Sequence, residues 1–230
     1  MISVVLVAAG KGTRMGPNVD KLFLELRGRP VVAHTWARFD AIPSIGELIL
    51  VVRSDMEAAF AELAGRYAFS KPYRIVPGGR ERQDSVWNGL EAVSSNAEIV
   101  AIHDAARPCT TVSAIEATIA AARETGAAVT GHPLTDTIKE SADGRLIGRT
   151  LDRSKLWAVQ TPQAFRLEVI RRALRTVKER GLQVTDDTAA CELIGQPVRL
   201  VQCLDPNPKV TRPEDLAQIG ELLGRMNAAR

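Results

Sequence analysis

Short hydrophobic runs alternate along this chain with longer stretches whose apolar residues recur at helical spacing. Consecutive aliphatic residues are typical of strands that are buried on both faces of a parallel sheet. The stretches between them carry the apolar stripe of amphipathic helices. Strands are predicted at 4–7, 47–52, 73–76, 99–103, 127–131 and 198–201, and helices at 55–64, 83–93, 112–124, 167–180, 185–193 and 213–223. The alternation predicts the α/β class, with a mostly parallel sheet between two layers of helices.

Segment 133–157 interrupts this alternation. Its stretches 135–140 and 146–151 flank Ala142-Asp143-Gly144, an arrangement typical of a β-hairpin. Because an isolated two-stranded ribbon is only marginally stable in water, the hairpin is expected to pack on another surface, most simply a second subunit. No repeat, linker or low-complexity tract divides the rest of the chain. We therefore predict a single domain over residues 1–230, with 133–157 as a projecting dimerisation arm.

Composition excludes several classes of protein. The 230 residues carry a formal net charge of +3, which gives no support to a nucleic-acid partner. Cys109, Cys191 and Cys203 are far apart and form no C-x-x-C pair, which argues against a disulfide framework or zinc site and favours a reducing compartment. No run approaches the ~20 apolar residues of a membrane span. We expect a cytoplasmic protein with no membrane or nucleic-acid partner.

The first predicted strand ends in a glycine-rich turn that also carries Lys11 and Arg14, and Lys21 follows it. Glycines let the backbone approach a ligand closely, and exposed amides can cradle phosphate groups. The spacing matches neither the G-x-G-x-x-G nor the Walker pattern. Such turns are also ordinary connections in α/β proteins, so a prediction of nucleotide binding needs support from elsewhere in the chain.

Three further polar clusters lie between predicted elements, at 78–85, 103–108 and 209–213. Because the carboxyl ends of parallel strands meet at one edge of a sheet, we expect the four clusters to converge. Asp104 directly follows an apolar strand, so it is either a ligand for Mg²⁺ or the partner of Arg107 in a structural ion pair. His103 is expected to lie in the core. A Ser-His-Asp hydrolase is excluded, because no G-x-S-x-G elbow is present.

The ordered set of motifs resembles the 2-C-methyl-D-erythritol 4-phosphate cytidylyltransferases of the non-mevalonate isoprenoid pathway. The matching pieces are Ala8-Ala9-Gly10-x-Gly-x-Arg14-Met15, Gly78-Gly79-x-Glu-Arg-x-Asp84-Ser85-Val86, His103-Asp104-Ala105-Ala106-Arg107-Pro108, Thr161-Pro162-Gln163 and Lys209-Val210-Thr211-Arg212-Pro213-Glu214-Asp215. The resemblance covers nearly the whole chain. It implies a Rossmann-like nucleotidyltransferase core and a homodimer whose arm reaches over the neighbouring active site. It also implies that CTP and methylerythritol phosphate react, with Mg²⁺, to give the cytidine diphosphate adduct and pyrophosphate.

The resemblance also implies roles for individual residues. The catalytic residues would be Arg14, Lys21 and Lys209. The nucleotide would be bound by Ala8, Ala9, Gly10, Gly12, Gly79, Arg80, Ser85, Asp104 and Ala105. The sugar phosphate would be bound by Arg107 and Thr161, and by Thr137 and Arg153 from the neighbouring arm. The metal would be held by Asp104. Lys21 stands here between Asp20 and Leu22, whereas many relatives read Pro-Lys-Gln, and Asp20 is placed to draw the lysine away.

These residue types suit the implied reaction. A phosphate monoester has a second pKa near ~6, so at neutral pH it is already a nucleophilic dianion and needs no general base. Its repulsion by a triphosphate must be overcome by positioning and positive charge. Three alternatives remain: the same chemistry on ribitol 5-phosphate, a nucleotidyltransferase for GTP or a hexose 1-phosphate, and a non-catalytic nucleotide-binding protein. Ala8-Ala9-Gly10 argues against the ribitol enzymes, which are associated with Ala-Gly-Gly.

Overall fold

The computed structural model describes residues 1–10, 12 and 20–228. The strands are β1 (Ile2–Val7), β2 (Glu25–Leu26), β3 (Arg29–Pro30), β4 (Ile45–Val52), β5 (Tyr73–Pro77), β6 (Ile99–Asp104), β7 (Ala127–Pro133), β8 (Lys139–Glu140), β9 (Arg149–Thr150), β10 (Trp157–Arg166) and β11 (Arg199–Gln202). The helices are α1 (Val31–Asp40), α2 (Glu57–Tyr67), α3 (Arg82–Ala92), α4 (Val112–Thr125), α5 (Leu167–Glu179), α6 (Asp187–Leu193) and α7 (Asp215–Ala228). Over these residues, no helix combines the length and apolar character needed to cross a bilayer.

The described strands form a central seven-stranded sheet in the order β11-β7-β10-β6-β1-β4-β5. β1 lies between β6 and β4 and is parallel to both. The pairs β4–β5 and β7–β11 are parallel as well. The predicted α/β fold with a mostly parallel sheet is therefore confirmed, and β1 occupies the centre of its parallel half.

Strand β10 was not predicted from the sequence, although it lies inside the sheet. It runs antiparallel to both of its neighbours, β6 and β7. Pro162 lies in its middle, and the pairing with β7 shifts register between Val159 and Gln163. Proline cannot donate a ladder hydrogen bond, so a proline inside a run argues against a central strand. The break in register accommodates that proline, which is why the sequence pattern misses the strand.

Alternating side chains of the sheet pack into two helical layers. Val4 and Leu6 of β1 belong to a core that also contains buried residues of α1, α2, α4 and α7. Val5 faces the opposite core, which includes buried residues of α3, α5 and α6. Burial on both faces explains why the strand reads as an uninterrupted aliphatic run. Helices thus cover both faces of the sheet. The ends of the strands are left uncovered, and a site can form there.

The arm leaves the main sheet between β7 and β10. Its base is fixed by the pairing of Pro133 with Trp157, so these two residues belong to the sheet itself. The hairpin strands β8 and β9 pair over only two residues each, Lys139 with Thr150 and Glu140 with Arg149. They are shorter than the predicted stretches, because the connecting residues form bends. The arm is therefore a long excursion with very little regular structure of its own.

Candidate active site

The central strand ends hold the candidate site together. The amide of Ala8 donates to the Val51 carbonyl of β4 (2.7 Å), and the amide of Ala105 donates to the Val7 carbonyl of β1 (3.1 Å). These bonds extend the pairing one residue beyond the strands. The loops that follow β1, β4 and β6 therefore start from fixed positions at one edge of the sheet, as the sequence predicts.

The loop after β5 is packed as closely as a glycine allows. A Cβ on Gly78 would come within 2.3 Å of the Ala9 side chain, so a larger residue could not fit here. The amide of Gly79 donates to the Ser85 hydroxyl (3.0 Å), which in turn donates to the Glu81 carbonyl (3.1 Å). Ser85 thus ties this loop to the first turn of α3. The two glycine-containing loops form adjoining walls of one cavity.

That cavity has a volume of about 410 Å³. The structure brings to it these residues singled out from the sequence: Ala8, Ala9, Gly10, Lys21, Gly79, Arg80, Ser85, Asp104 and Lys209. The four predicted clusters therefore do converge, through at least one described residue each. Arg14 lies outside the described residues. Gly12 has a φ of +59°, a conformation that favours glycine, and the space beside it is filled by the Lys21 side chain.

Lys21 is directed across the cavity to the last cluster. Its Nζ donates to the Val210 carbonyl (2.8 Å). The neighbouring acid, Asp20, is paired with Arg53, whose Nη1 lies 3.0 Å from the carboxylate. Asp20 therefore has a cationic partner of its own, and the departure from the usual sequence around Lys21 leaves the lysine at the cavity.

Asp104, at the end of β6, is surrounded by three cations. Lys209 Nζ lies 2.8 Å from its Oδ2, and Arg107 Nε lies 3.4 Å from the same oxygen. Arg82 Nε lies 3.9 Å from Oδ1. Burial alone would raise the pKa of Asp104, but these cations together hold it well below its usual range. The carboxylate is therefore ionised at any working pH, and the predicted ion pair with Arg107 is present.

The residues behind Asp104 are buried and hydrogen-bonded. The Thr161 hydroxyl accepts from the Asp104 amide (3.1 Å), and Asn207 donates to the Thr161 carbonyl (2.9 Å). Arg107 Nη1 donates to the Asn207 carbonyl (2.7 Å). His103 is completely buried, as expected, and one ring nitrogen bonds the Arg107 carbonyl (3.0 Å). β10 and the loop before Lys209 thus brace the end of β6.

The comparisons with known proteins agree with this geometry. Residues 2–225 match the family described as "IspD: 2-C-methyl-D-erythritol 4-phosphate cytidylyltransferase". The chain belongs to the IspD family. A 2-C-methyl-D-erythritol 4-phosphate cytidylyltransferase of Alkaliphilus oremlandii is 42% identical over 222 residues, which cover 96% of this chain and 94% of the relative.

Solved structures support the same assignment. The 4-diphosphocytidyl-2C-methyl-D-erythritol synthase of Anaerococcus prevotii has a TM-score of 0.85 at 29% identity, covering 97% of this chain and 98% of that one. The 2-C-methyl-D-erythritol 4-phosphate cytidylyltransferase of Thermus thermophilus has a TM-score of 0.79 at 31% identity, covering 98% and 100%. The fold is therefore the nucleotidyltransferase fold of IspD, as the resemblance implies.

Several residues that the IspD resemblance singles out do not line the cavity. Ala105 is completely buried, and its carbonyl accepts from Thr35 (2.8 Å), so its neighbour Ala106 lines the cavity instead. Thr137 and Arg153 are exposed on the arm, where the Arg153 guanidinium donates to the Thr135 carbonyl. Neither of these arm residues lines the cavity of its own chain.

Two residues of the site were missed by sequence reasoning. Arg82 lines the cavity between Asp104 and the fully buried Asp187 of α6. Arg82 lies within the polar cluster 78–85, and that position is the signal that could have singled it out. Asp187 was interpreted only as part of a helix start. Nothing in its local sequence indicates a partner 105 residues away.

Proposed function

We propose that this chain is a cytidylyltransferase that joins CTP and 2-C-methyl-D-erythritol 4-phosphate, giving 4-diphosphocytidyl-2-C-methyl-D-erythritol and pyrophosphate. Membership of the IspD family supports the reaction. The observation that carries the proposal is the convergence of Lys21, Lys209 and Asp104 on a cavity walled by two glycine-containing loops. Such an arrangement supplies what the joining of two anions requires, which is close backbone approach and concentrated positive charge.

In this mechanism the substrate phosphate is the nucleophile. A phosphate monoester is largely a dianion at neutral pH, because its second pKa is near ~6, so no side chain has to remove a proton. Its oxygen attacks the α-phosphorus of CTP in line, and the bond to the pyrophosphate oxygen breaks. Lys21 and Lys209 place positive charge where charge accumulates on the α-phosphoryl oxygens. Both lysines donate to acceptors of the protein, which fixes their ammonium groups before the substrates arrive.

The nucleotide is assigned to the walls of the cavity. The backbone of Ala8, Ala9 and Gly10 is assigned to the triphosphate, and Arg14, outside the described residues, is assigned to the same phosphates. Gly79 and Ser85 lie on the adjoining wall and are assigned to the cytosine. Arg80 contributes through its backbone, because its side chain is 88% exposed and directed to solvent. Backbone contacts of this kind identify a base by the shape of its edge without needing a charged side chain.

The residues present also fit a Mg²⁺ ion. Mg²⁺ is usually held by one or two carboxylates together with substrate phosphates, and it keeps several waters. Asp104 lines the cavity, and its Oδ1 is 3.9 Å from Arg82 Nε, beyond hydrogen-bond distance, so this oxygen can take a ligand. When bound there, Mg²⁺ would neutralise charge on the triphosphate. The described residues contain no cluster of three or more His, Cys, Asp or Glu side chains, so the nucleotide itself would complete the shell.

The arm is assigned to dimerisation and to the sugar phosphate. Leu146 and Ile147 at its tip are 75% and 66% exposed, which is unfavourable unless another surface covers them. We assign Thr137 and Arg153 to the phosphate of the substrate bound by the neighbouring copy. Arg107 and Thr161 are assigned to the same substrate from within the subunit; they do not line the cavity themselves, but both bond Asp104, which does.

The cysteines favour a reducing compartment for this homodimer. Cys109 and Cys191 are free and buried, and burial raises the pKa of Cys109 to about 11 and that of Cys191 to about 12. Thiols held in this way behave as small apolar residues. We therefore place the enzyme in the cytoplasm.

Pyrophosphate release tests the proposed function. With CTP and Mg²⁺, 2-C-methyl-D-erythritol 4-phosphate is expected to give stoichiometric pyrophosphate, while ribitol 5-phosphate gives little. GTP in place of CTP is the control for the base. Release with ribitol 5-phosphate alone would favour the alternative enzyme, and no release with either sugar phosphate would contradict a catalytic role.

A further inference from the structure

Arg82 is shared between two carboxylates that lie in different parts of the fold. Its Nη2 donates to Asp187 Oδ2 (2.8 Å), and its Nε lies 3.9 Å from Asp104 Oδ1. Lys209 and Arg107 both approach the other oxygen of Asp104, so within the described part of the chain Arg82 is the cation on the Oδ1 side. The planar guanidinium carries donors on several nitrogens and can therefore face two carboxylates at once. The single ammonium nitrogen of a lysine cannot span the same two positions.

Asp187 cannot touch a substrate. Its side chain is 0% exposed, and its Oδ1 has no hydrogen-bond partner among the described residues. Burial raises the pKa of this carboxyl, and the Arg82 guanidinium opposes that rise. A buried carboxylate without a partner destabilises the folded protein. The ion pair with Arg82 therefore offsets the unfavourable burial of Asp187. The same contact holds the Arg82 side chain in place.

The contact closes a ring around the end of β6. The amide of Asp187 donates to Gln163 Oε1 on β10 (3.2 Å), and Gln163 Nε2 donates to Asp186 Oδ2 (2.8 Å). On the same strand, Thr161 accepts from the Asp104 amide. The path thus runs from Asp104 through β10 to α6, and returns through Arg82 to the other side of Asp104. Apart from the backbone of β10 between Thr161 and Gln163, the steps are hydrogen bonds, with the 3.9 Å ion pair of Arg82 and Asp104 as the last.

We propose that Arg82, held by the buried Asp187, is a positioning residue that sets the orientation of the Asp104 carboxylate in the active site. This inference rests on the proposed function for its kinetic consequence. Asp187 acts through Arg82, without contact with either substrate. Groups that orient a metal ligand, as Arg82 and Asp187 would orient Asp104, typically contribute 10–100-fold to metal affinity or activity.

Asp187→Asn is the decisive variant, since it removes the charge and keeps the size. Its kcat for pyrophosphate release is expected to fall about 10-fold or more, while the KM for CTP stays unchanged. Arg82→Lys should show the same loss, because one ammonium group cannot bridge both carboxylates. A wild-type kcat in both folded variants would overturn the proposal.

Two comparisons separate positioning from general damage to the fold. Glu47→Gln is the matched control, because it also removes the charge of a buried carboxylate, one that bonds Ser3 and Ser94 outside this ring, and its kcat is expected to equal that of the wild type. The double variant Arg82→Gln with Asp187→Asn should lose no more activity than Arg82→Gln alone, because both changes break one path. Losses that multiply would show that the two residues act independently.

Crystal structures of the wild type and of Asp187→Asn provide a readout that needs no activity. Once released from Asp187, Arg82 is expected to close on Asp104 to about 3 Å and to turn the carboxylate. Unchanged positions of both side chains would overturn the inference. A wild type that releases no pyrophosphate would contradict the proposed function, while the crystal comparison would still decide the role of Arg82.

Discussion

Two regions of the molecule differ in how many of their polar side chains find partners within one chain. One is the edge of the sheet at the carboxyl ends of its strands, where Lys21, Asp104 and Lys209 lie, and the other is the arm. At the edge, Asp104 is buried and is partnered by Lys209, Arg107 and Thr161, with Arg82 close by. On the arm, residues 141–150 are all exposed, and the ion pair of Arg149 with Glu140 lies in solvent. Exposed pairs of this kind contribute only about 0–1 kcal/mol. One chain therefore builds the edge from its own buried bonds, whereas its arm is held by exposed contacts that the proposed dimer would cover.

The two regions would accordingly have different roles in the proposed reaction. The edge holds groups whose positions must be fixed before the substrates bind, and buried, mutually bonded side chains provide that precision. The arm carries Thr137 and Arg153, which in the proposed dimer bind the substrate of the neighbouring copy.

Removing either lysine of the edge should have the largest effect. Lys21→Ala and Lys209→Ala are each expected to lower kcat/KM by about 10²-fold or more, as the loss of one donor to a developing anion typically does. Steady-state pyrophosphate release measures this loss. Lys178→Ala, on the exposed side of α5, is the control and should retain full activity. Near-wild-type turnover in both edge variants would remove the mechanism.

The pH dependence of stability tests whether His103, at the edge, is buried away from water. Burial lowers the pKa of His103 to about 4, so between pH 6.5 and 5 the unfolded chain binds a proton that the folded chain does not. The contribution of His103 to the free energy of unfolding should therefore fall as the pH falls, by at most about 1.4 kcal/mol per unit and by roughly 1.5 kcal/mol over this range.

Urea unfolding of the wild type and of His103→Gln, each at pH 6.5 and pH 5, isolates this contribution. Burial also lowers the pKa of His34, but His34 is present in both proteins and cancels in the comparison. The variant is expected to show the smaller dependence on pH. An equal dependence in both proteins would mean that His103 gains its proton as readily in the folded state as in the unfolded state.

On the arm, Arg153→Ala should act mainly on substrate binding. Loss of a charged hydrogen bond to phosphate is expected to raise the KM for the sugar phosphate about 10-fold and to leave the KM for CTP unchanged. Lys155→Ala is a matched control, because Lys155 lies in the same short 3₁₀ turn and its side chain is 82% exposed. Equal KM values in the two variants would argue against a site completed by the arm.

The convergence of the site could be predicted because it follows from local pattern. The aliphatic runs of β1 and β6 identify parallel strands, and parallel strands bring their carboxyl ends to one edge. Lys21, Asp104 and Lys209 could therefore be placed together without knowing any long-range contact. The glycines could be interpreted as well, since Gly12 takes a positive φ and Gly78 leaves no room for a Cβ.

The features that were missed depend on contacts that no short pattern encodes. β10 is a central strand despite Pro162, because the register of its pairing with β7 shifts around that residue. The pair of Arg82 with Asp187 joins two helices that are distant in the sequence and packed on the same face of the sheet. Asp187 needs a cationic partner because it is buried, and the spacing of apolar residues along the chain does not reveal that a polar residue is buried.

A mixed dimer tests most directly whether cations from two copies build one site. Lys209→Ala and Arg153→Ala chains carrying different tags are co-expressed, and the mixed dimers are isolated and assayed at low sugar phosphate concentration. If the arm crosses the dimer, one of the two sites in each mixed dimer is fully wild type, so activity should reach about half that of the wild type. Activity no higher than the average of the two parent variants would contradict the account.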